Sequence, residues 1–345
     1  MSTKSSNILY PAEWYPQSAV QLTWPDYTTD WADILTEVEE CYSNVAYEIC
    51  KRQLLLIACS NPVRIHEKLS RCNQQNLRLV QVPVNDTWAR DHGGITVLED
   101  GKPVILDFTF NGWGMKFAAN HDNQITRQLY ENGIFEMEVA LLNMKKYVLE
   151  GGSIESDGLG TILTTEECLL EPNRNSWMDK QSIEELLKST FGASRVLWLK
   201  NGFLAGDDTD SHVDTLARFC SESSIAYVKC DDKQDEHFAA LKAMEDELKA
   251  FKTHDGNPYQ LIPLPMAEPV FDGADRLPAT YANFLIINGA VLVPTYNTKT
   301  DAIALKQLSI TFPERDIIGI DCSALIKQHG SLHCISMQYP EGVVS

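Results

Sequence analysis

Leu77-Arg78-Leu79-Val80-Gln81-Val82-Pro83-Val84 runs straight into Asn85-Asp86-Thr87-Trp88-Ala89-Arg90-Asp91, and this junction decides the fold. The first stretch is short, apolar and valine-rich, the pattern of a strand bounded by turn residues. The second packs an indole, a guanidinium and two carboxylates into one loop ahead of His92-Gly93-Gly94, a composition that an ordinary surface turn does not need. Working outward, helical spacing of apolar residues begins near Asp30, Pro62, Asp122, Gln181, His237 and Ala302. From Pro62 onward these starts are separated by 60, 59, 56 and 65 residues, and each of the five helices leads through a turn to a short strand. The expected strands are Leu77 to Val84, Met137 to Leu142, Arg195 to Leu199, Tyr259 to Leu264 and Asp316 to Ile320. Five like units in one chain argue for one repeated α/β architecture rather than two unrelated domains.

After the first, second, third and fifth of these strands comes a Gly-rich or polar loop with a reactive side chain. The loops carry Asp91, Glu150, His212 with Asp214, and Cys334, which stand 14, 13, 17 and 18 residues beyond the start of their strands. Units arranged around an axis bring such loops together on it. The fourth loop, Phe271 to Asn283, offers Asp272, Asp275 and Tyr281 but no evident role for them. The N-terminal strand, residues 19–25, has no unit of its own and is expected to pair with the last one and close the ring. The expectation is a single closed α/β propeller domain over residues 1–345 with about five repeats.

Composition narrows the function. The 345 residues hold 29 Lys plus Arg against 48 Asp plus Glu, a net charge of −19, which argues against a nucleic-acid partner of the usual kind. With 44% hydrophobic and only 22% charged residues the chain has ample material for a core. No run of about 18 apolar residues is present, and Met1 to Trp14 lacks the basic and then apolar blocks of a signal peptide. A soluble cytoplasmic protein without a membrane partner is expected. The nine cysteines are odd in number and form no C-x-x-C pair, which reads as reduced thiols rather than a disulfide scaffold or a zinc site.

Gly330-Ser331-Leu332-His333-Cys334-Ile335 places a cysteine after a glycine and just before an apolar strand, where a thiol nucleophile can be presented. Taken alone it reads as one more buried thiol, and its place in the repeat series is what reverses that reading. His333 is read as structural or as a support for the residues that touch substrate, not as the base, because neighbours in a strand point to opposite faces. Asp210-Ser211-His212-Val213-Asp214 spaces an imidazole and a carboxylate two apart, so that in extended chain both face one pocket. A metal would want further ligands, and no second motif completes a set. Glu150-Gly151-Gly152 follows the apolar Tyr147-Val148-Leu149; its paired glycines allow close backbone approach, and the glutamate is placed to orient a histidine.

At these residues the sequence resembles the agmatine deiminase family, within the guanidino-group-modifying enzymes that include the bacterial peptidylarginine deiminases. The likeness runs from Pro11-Ala12-Glu13-Trp14 through Trp88-x-Arg90-Asp91, Glu150-Gly151-Gly152 and His212-x-Asp214 to His333-Cys334. It departs from the family pattern at His92-Gly93-Gly94, Ser211-His212 and His329-Gly330-Ser331-Leu332, none of which replaces a reacting group. The resemblance implies a pentein-like, five-bladed pseudo-symmetric ring of ββαβ units with its active site on the axis. It further implies Cys334 as nucleophile, His212 as acid/base, Glu150 as the partner of His212, and Asp91 and Asp214 as ligands of the guanidinium. Trp88 and Asp208 complete the expected substrate contacts, Trp88 as a cover that excludes water or simply as packing.

Guanidinium hydrolysis through a thiol requires neither metal nor organic cofactor. The expected partner is a small cationic guanidino substrate, agmatine before arginine or peptidyl-arginine, and assembly as a homo-oligomer is left open. Two other readings are a non-catalytic ligand-binding relative and a cysteine amide hydrolase. The second leaves Asp91 and Asp214 without a task. Acids dominate the approach to His212, namely Asp207, Asp208 and Asp210, with Arg90 the lone nearby cation and expected to pair with them.

Overall fold

The computed structural model describes residues 7–345, so the first six residues of the expected 1–345 domain and of the Met1 to Trp14 segment lie outside the described residues. Five sheets of three or four strands share one pairing scheme. In each, an antiparallel pair is followed by a parallel strand that is reached through a helix. Ile95–Glu99 pairs antiparallel with Lys102–Thr109, which pairs parallel with Ala140–Val148 across the helix Ile125–Glu131. The same order recurs for Ile154–Ser156, Thr161–Thr165 and Arg195–Leu199, whose crossover helix is Lys180–Phe191. It recurs again for Ala217–Ser221, Ser224–Lys229 and Gln260–Pro265, and for Leu285–Ile287, Ala290–Thr295 and Asp316–Asp321. In the fifth sheet Ser336–Pro340 runs antiparallel to Gln17–Thr23, which is parallel to Leu54–Cys59. The two ends of the chain thus meet in one sheet.

That sheet corrects the expected phase of the first unit. Gln17–Thr23 does have a unit of its own, through the helix Leu35–Cys50 to Leu54–Cys59. The helix Pro62–Lys68 and strand Leu77–Gln81 are an additional crossover at the edge of the same sheet. The cause is burial on both faces: every residue of Leu54–Cys59 is buried, so the strand lacks the alternation that would have marked it. Elsewhere the strand beginning at Arg195 falls where it was expected. The one expected at Met137 starts three residues later, leaving Met137 96% exposed. Among the described residues no helix is long and apolar enough to cross a membrane.

Each crossover helix lays its apolar stripe on its sheet; Ile183, Leu187 and Phe191 are the buried positions of Lys180–Phe191, at four-residue spacing. The polar residues described next lie in the segments that follow the strands: the short helix Ala89–His92, the 3-10 turns Gly151–Ser153 and Val213–Thr215, and the turn before Ser336–Pro340.

Candidate active site

Four segments converge. Asp91 lies in the short helix Ala89–His92, which is tied to the last loop by the Arg90 N–H donating to the Cys334 carbonyl at 3.1 Å. Glu150 precedes the 3-10 turn Gly151–Ser153, and Asp214 sits in the 3-10 turn Val213–Thr215 directly after His212. Cys334 occupies a turn ahead of Ser336–Pro340. Gly152 is the hub. A Cβ on it would lie 2.6 Å from His212 Nδ1, 2.9 Å from Asp91 Oδ1 and 3.2 Å from Asp214 Oδ2, so only glycine permits this convergence. Its N–H donates to Asp91 Oδ1 at 3.1 Å, while Trp113 Nε1–H donates to Asp91 Oδ2 at 3.0 Å.

The loop that brings in His212 holds Asp210 and Ser211 at φ of 63° and 62°, two successive left-handed residues. Arg174 holds them there. Its Nε–H contacts both oxygens of Glu150 at 3.0 and 3.1 Å, its NH1 donates to Asp210 Oδ2 at 2.7 Å and its NH2 to the Thr209 carbonyl at 2.9 Å. Glu150 therefore does not orient His212 by a hydrogen bond; its oxygens are taken by Arg174, and it acts on His212 through charge and through the loop. Nothing in the Glu-Gly-Gly motif could reveal that arginine, 24 residues further on.

Electrostatics set the protonation states. Burial alone would depress His212, but the Asp91 carboxylate 3.6 Å away, Cys168 and Glu150 overcome it and raise its pKa to about 10, so the ring rests as imidazolium. Neither of its nitrogens has a hydrogen-bond partner among the described residues, which leaves both for a substrate or water. Asp91 is raised to about 6 by burial, with Asp214 and Glu150 adding to the shift against the pull of His212. Burial and then the carboxylates of Asp214 and Asp91 push the Cys334 thiol well above its ordinary value. Its Sγ lies 3.3 Å from Asn283 Oδ1 and 3.9 Å from Asp214 Oδ2.

Asn283 answers the question left by the fourth loop. Asp272 and Asp275 lie in a small exposed ribbon and Tyr281 is buried against Thr298, Thr300 and Asp301. The loop's contribution is Asn283 at its end, whose Oδ1 also accepts the N–H groups of His333 and Cys334 at 2.8 and 3.2 Å. Two further expectations change. His333 and Cys334 lie in a turn, not a strand, so the opposite-face argument does not apply, and both approach Asp214 Oδ2. Arg90 is buried beneath the site facing Glu13, while Asp210 is taken by Arg174 and Lys116.

Above Cys334 opens a pocket of about 580 Å³ including its mouth. Trp88, Trp113 and Phe117 form its aromatic walls, Asp30, Asp86, Asp91 and Asp208 its carboxylates, and His329 part of its rim; among the described residues no lysine or arginine lines it. Trp88 lines the pocket, packs against Trp31 and donates to Asp86 Oδ2 at 3.0 Å. Asp208 stands at the rim, its side chain 42% exposed and 3.8 Å from His329. Two donor sets could in principle hold a metal, Glu150 with Cys168 and His212, and Glu13 with Glu155 and His333. In each, an arginine already pairs with a carboxylate, Arg174 in the first and Arg218 in the second.

A family model described as Porphyromonas-type peptidyl-arginine deiminase matches residues 9–340. The chain belongs to that family. A Porphyromonas gingivalis structure named a "putative arginine deiminase" is 56% identical, with a TM-score of 0.95 over 98% of this chain and 100% of its own. A C. jejuni agmatine deiminase, a Cys-to-Ser variant with substrate bound, is 37% identical, with a TM-score of 0.92 over 99% of each chain. The agmatine deiminase of Medicago truncatula is 31% identical over 96% of each. The family's mixed α/β fold and hydrolase chemistry on C–N bonds are those of this chain.

If Asp91 and Asp214 grip a guanidinium, Asp91→Asn and Asp214→Asn should each lower kcat/KM by at least ~30-fold, the weight of a charge-assisted hydrogen bond. Steady-state kinetics on both variants check this, and smaller losses in both place the headgroup elsewhere. In the unsubstituted enzyme kcat/KM should fall as the pH drops through about 6, where Asp91 takes up its proton. The sign for stability is opposite. Asp91's folded pKa lies above its unfolded one, so this group destabilises the fold above about pH 6 and is relieved as the pH falls.

Proposed function

We propose that the protein is an agmatine deiminase that hydrolyses the guanidinium of agmatine to N-carbamoylputrescine and ammonia, a step toward putrescine. The observation that carries the reading is a thiol and two carboxylates gathered beside Gly152, at the floor of a pocket lined by four aspartates and no lysine or arginine among the described residues. A planar cation with five N–H donors is best held by carboxylates on separate sides. The same cation is what the thiol lacks. Its arrival replaces the net negative field that keeps Cys334 protonated, so the proton passes to solvent and the thiolate forms against the guanidinium carbon.

Attack gives a tetrahedral adduct. His212 as imidazolium protonates one terminal nitrogen, ammonia leaves, and an S-alkylthiouronium remains on Cys334. The now neutral His212 takes a proton from water as that water adds to the same carbon. Collapse forms the C=O and breaks the C–S bond, the hydroxyl proton passing to solvent, which returns the thiolate and releases the ureido product. Trp88 and Trp113 exclude bulk water while Trp113 fixes Asp91.

Agmatine rather than arginine is favoured because the mouth offers Asp30, Asp86 and Asp208 to a distal ammonium, while among the described residues it offers an α-carboxylate no lysine or arginine and only His329, which already faces Asp208. The arginine carboxylate would meet repulsion and unmatched desolvation of at least ~2 to 4 kcal/mol. In ammonia-release assays agmatine should exceed arginine and an arginyl peptide by about two orders of magnitude in kcat/KM. Comparable rates would replace the substrate and keep the chemistry.

The reading includes the architecture, five ββαβ blades in a single closed ring around the site. Support comes from the pairing scheme shared by the five sheets and from the junction of Gln17–Thr23 with Ser336–Pro340. Nine buried, unpaired cysteines support a cytoplasmic setting.

A further inference from the structure

Pro11-Ala12-Glu13-Trp14 has no part in the chemistry above, yet Glu13 reaches the floor of the site. Its Oε2 lies 2.6 Å from His333 Nε2, and His333 Nδ1 lies 2.6 Å from Asp214 Oδ2. All three side chains are buried. A carboxylate oxygen offers no hydrogen, so an imidazole clasped between two ionised carboxylates has to donate from both nitrogens. Asp214 Oδ2 is thereby engaged, whereas Oδ1 is buried and has no partner among the described residues. Asp91 has no such clasp.

We propose that Glu13 and His333 are positioning residues for the deiminase reaction: the imidazolium they share holds Asp214 ionised and turned so that Oδ1 is left for the substrate cation. The inference rests on the function proposed above. Its electrostatic frame is complete on every side. Asp214 faces His333, His212, Arg218, Asp91 and the Cys334 thiol. Glu13 faces His333, Arg218 at 2.7 Å and Arg90 at 3.8 Å, and takes the Ile286 N–H on Oε1 at 2.6 Å. Arg218 in turn pairs with Glu155. The two guanidinium-site carboxylates differ accordingly. Burial would raise both, but the His333 hydrogen bond and charge bring Asp214 below its ordinary range while Asp91 sits near 6.

Breaking the clasp should convert Asp214 into a second group that is lost at acid pH. In Glu13→Gln and His333→Asn the acid limb of kcat/KM against agmatine should move up by at least one pH unit. It should also steepen from one proton toward two, with kcat/KM at pH 8.5 within about fivefold of the unsubstituted enzyme. Glu13 does not line the pocket, so a purely structural role predicts a loss that is the same at every pH, and that result would overturn the proposal. An unchanged profile would do the same. Should neither variant fold, nitrogen NMR decides on 15N-histidine-labelled His212→Ala. One ring there should show two N–H protons, both shielded from exchange, and its absence refutes the clasp. Failure of the unsubstituted protein to release ammonia from agmatine would instead remove the proposed function, and the NMR result would stand apart from it.

Discussion

Cys334→Ser is expected to lose at least ~10⁴-fold in turnover while keeping its fold, the largest single effect in this protein. The hydroxyl is close in size to the thiol and can keep the contact with Asn283 Oδ1, so the melting temperature should hardly move. What it cannot do is ionise. The guanidinium lowers the barrier to removing a proton from sulfur, but an alcohol starts several pKa units higher than a thiol, beyond what one neighbouring cation supplies. Ammonia release with agmatine, read beside a thermal melt, checks both halves. Substantial turnover in the serine variant would move the nucleophile elsewhere. The other eight cysteines are also buried, so burial alone did not mark Cys334; its surroundings of carboxylates did.

His212→Ala should cost roughly a thousandfold in kcat, within the usual span of general acid–base catalysis. In the proposed mechanism the histidine serves twice, giving a proton to the departing nitrogen and taking one from the incoming water. With the second task unfilled, the S-alkylthiouronium should persist. Mass spectrometry of the quenched variant should find agmatine less ammonia on the peptide carrying Cys334. A label on any other cysteine, or a variant close to full activity, would break the assignment.

The converging groups were legible in the sequence for a reason that has limits. Repeat spacing points to loops that meet, as for His212, Asp214 and Cys334, whereas the distance to Asp91 is counted from Leu77–Gln81, an extra edge strand outside the repeat. It does not tell which atoms face each other. Arg174 lies in the short helix Pro172–Asn175, too brief to give a periodic signal, and it takes Glu150 away from its expected partner. Glu13 meets His333 across 320 residues, a contact no local pattern encodes. Trp113 sat unremarked in Asn111-Gly112-Trp113-Gly114, although glycines on both sides of a tryptophan hint at forced backbone. Its φ of 53° bears that out. The misplaced first unit has a different origin, since a strand buried on both faces looks like any apolar run.

On the proposed function, the pair of carboxylates beside Gly152 would also govern how a catalytic cycle ends. While a cation occupies their site, Asp91 and Asp214 have a counter-charge between them; after hydrolysis they face a urea, which carries none. The attraction that drew the headgroup in is gone, and two buried carboxylates are left confronting a neutral dipole. The reaction thereby loosens its own product at the reacting end, leaving only the distal ammonium held at the mouth. An enzyme built this way resists inhibition by what it makes, and its next substrate molecule competes with an advantage of one full charge.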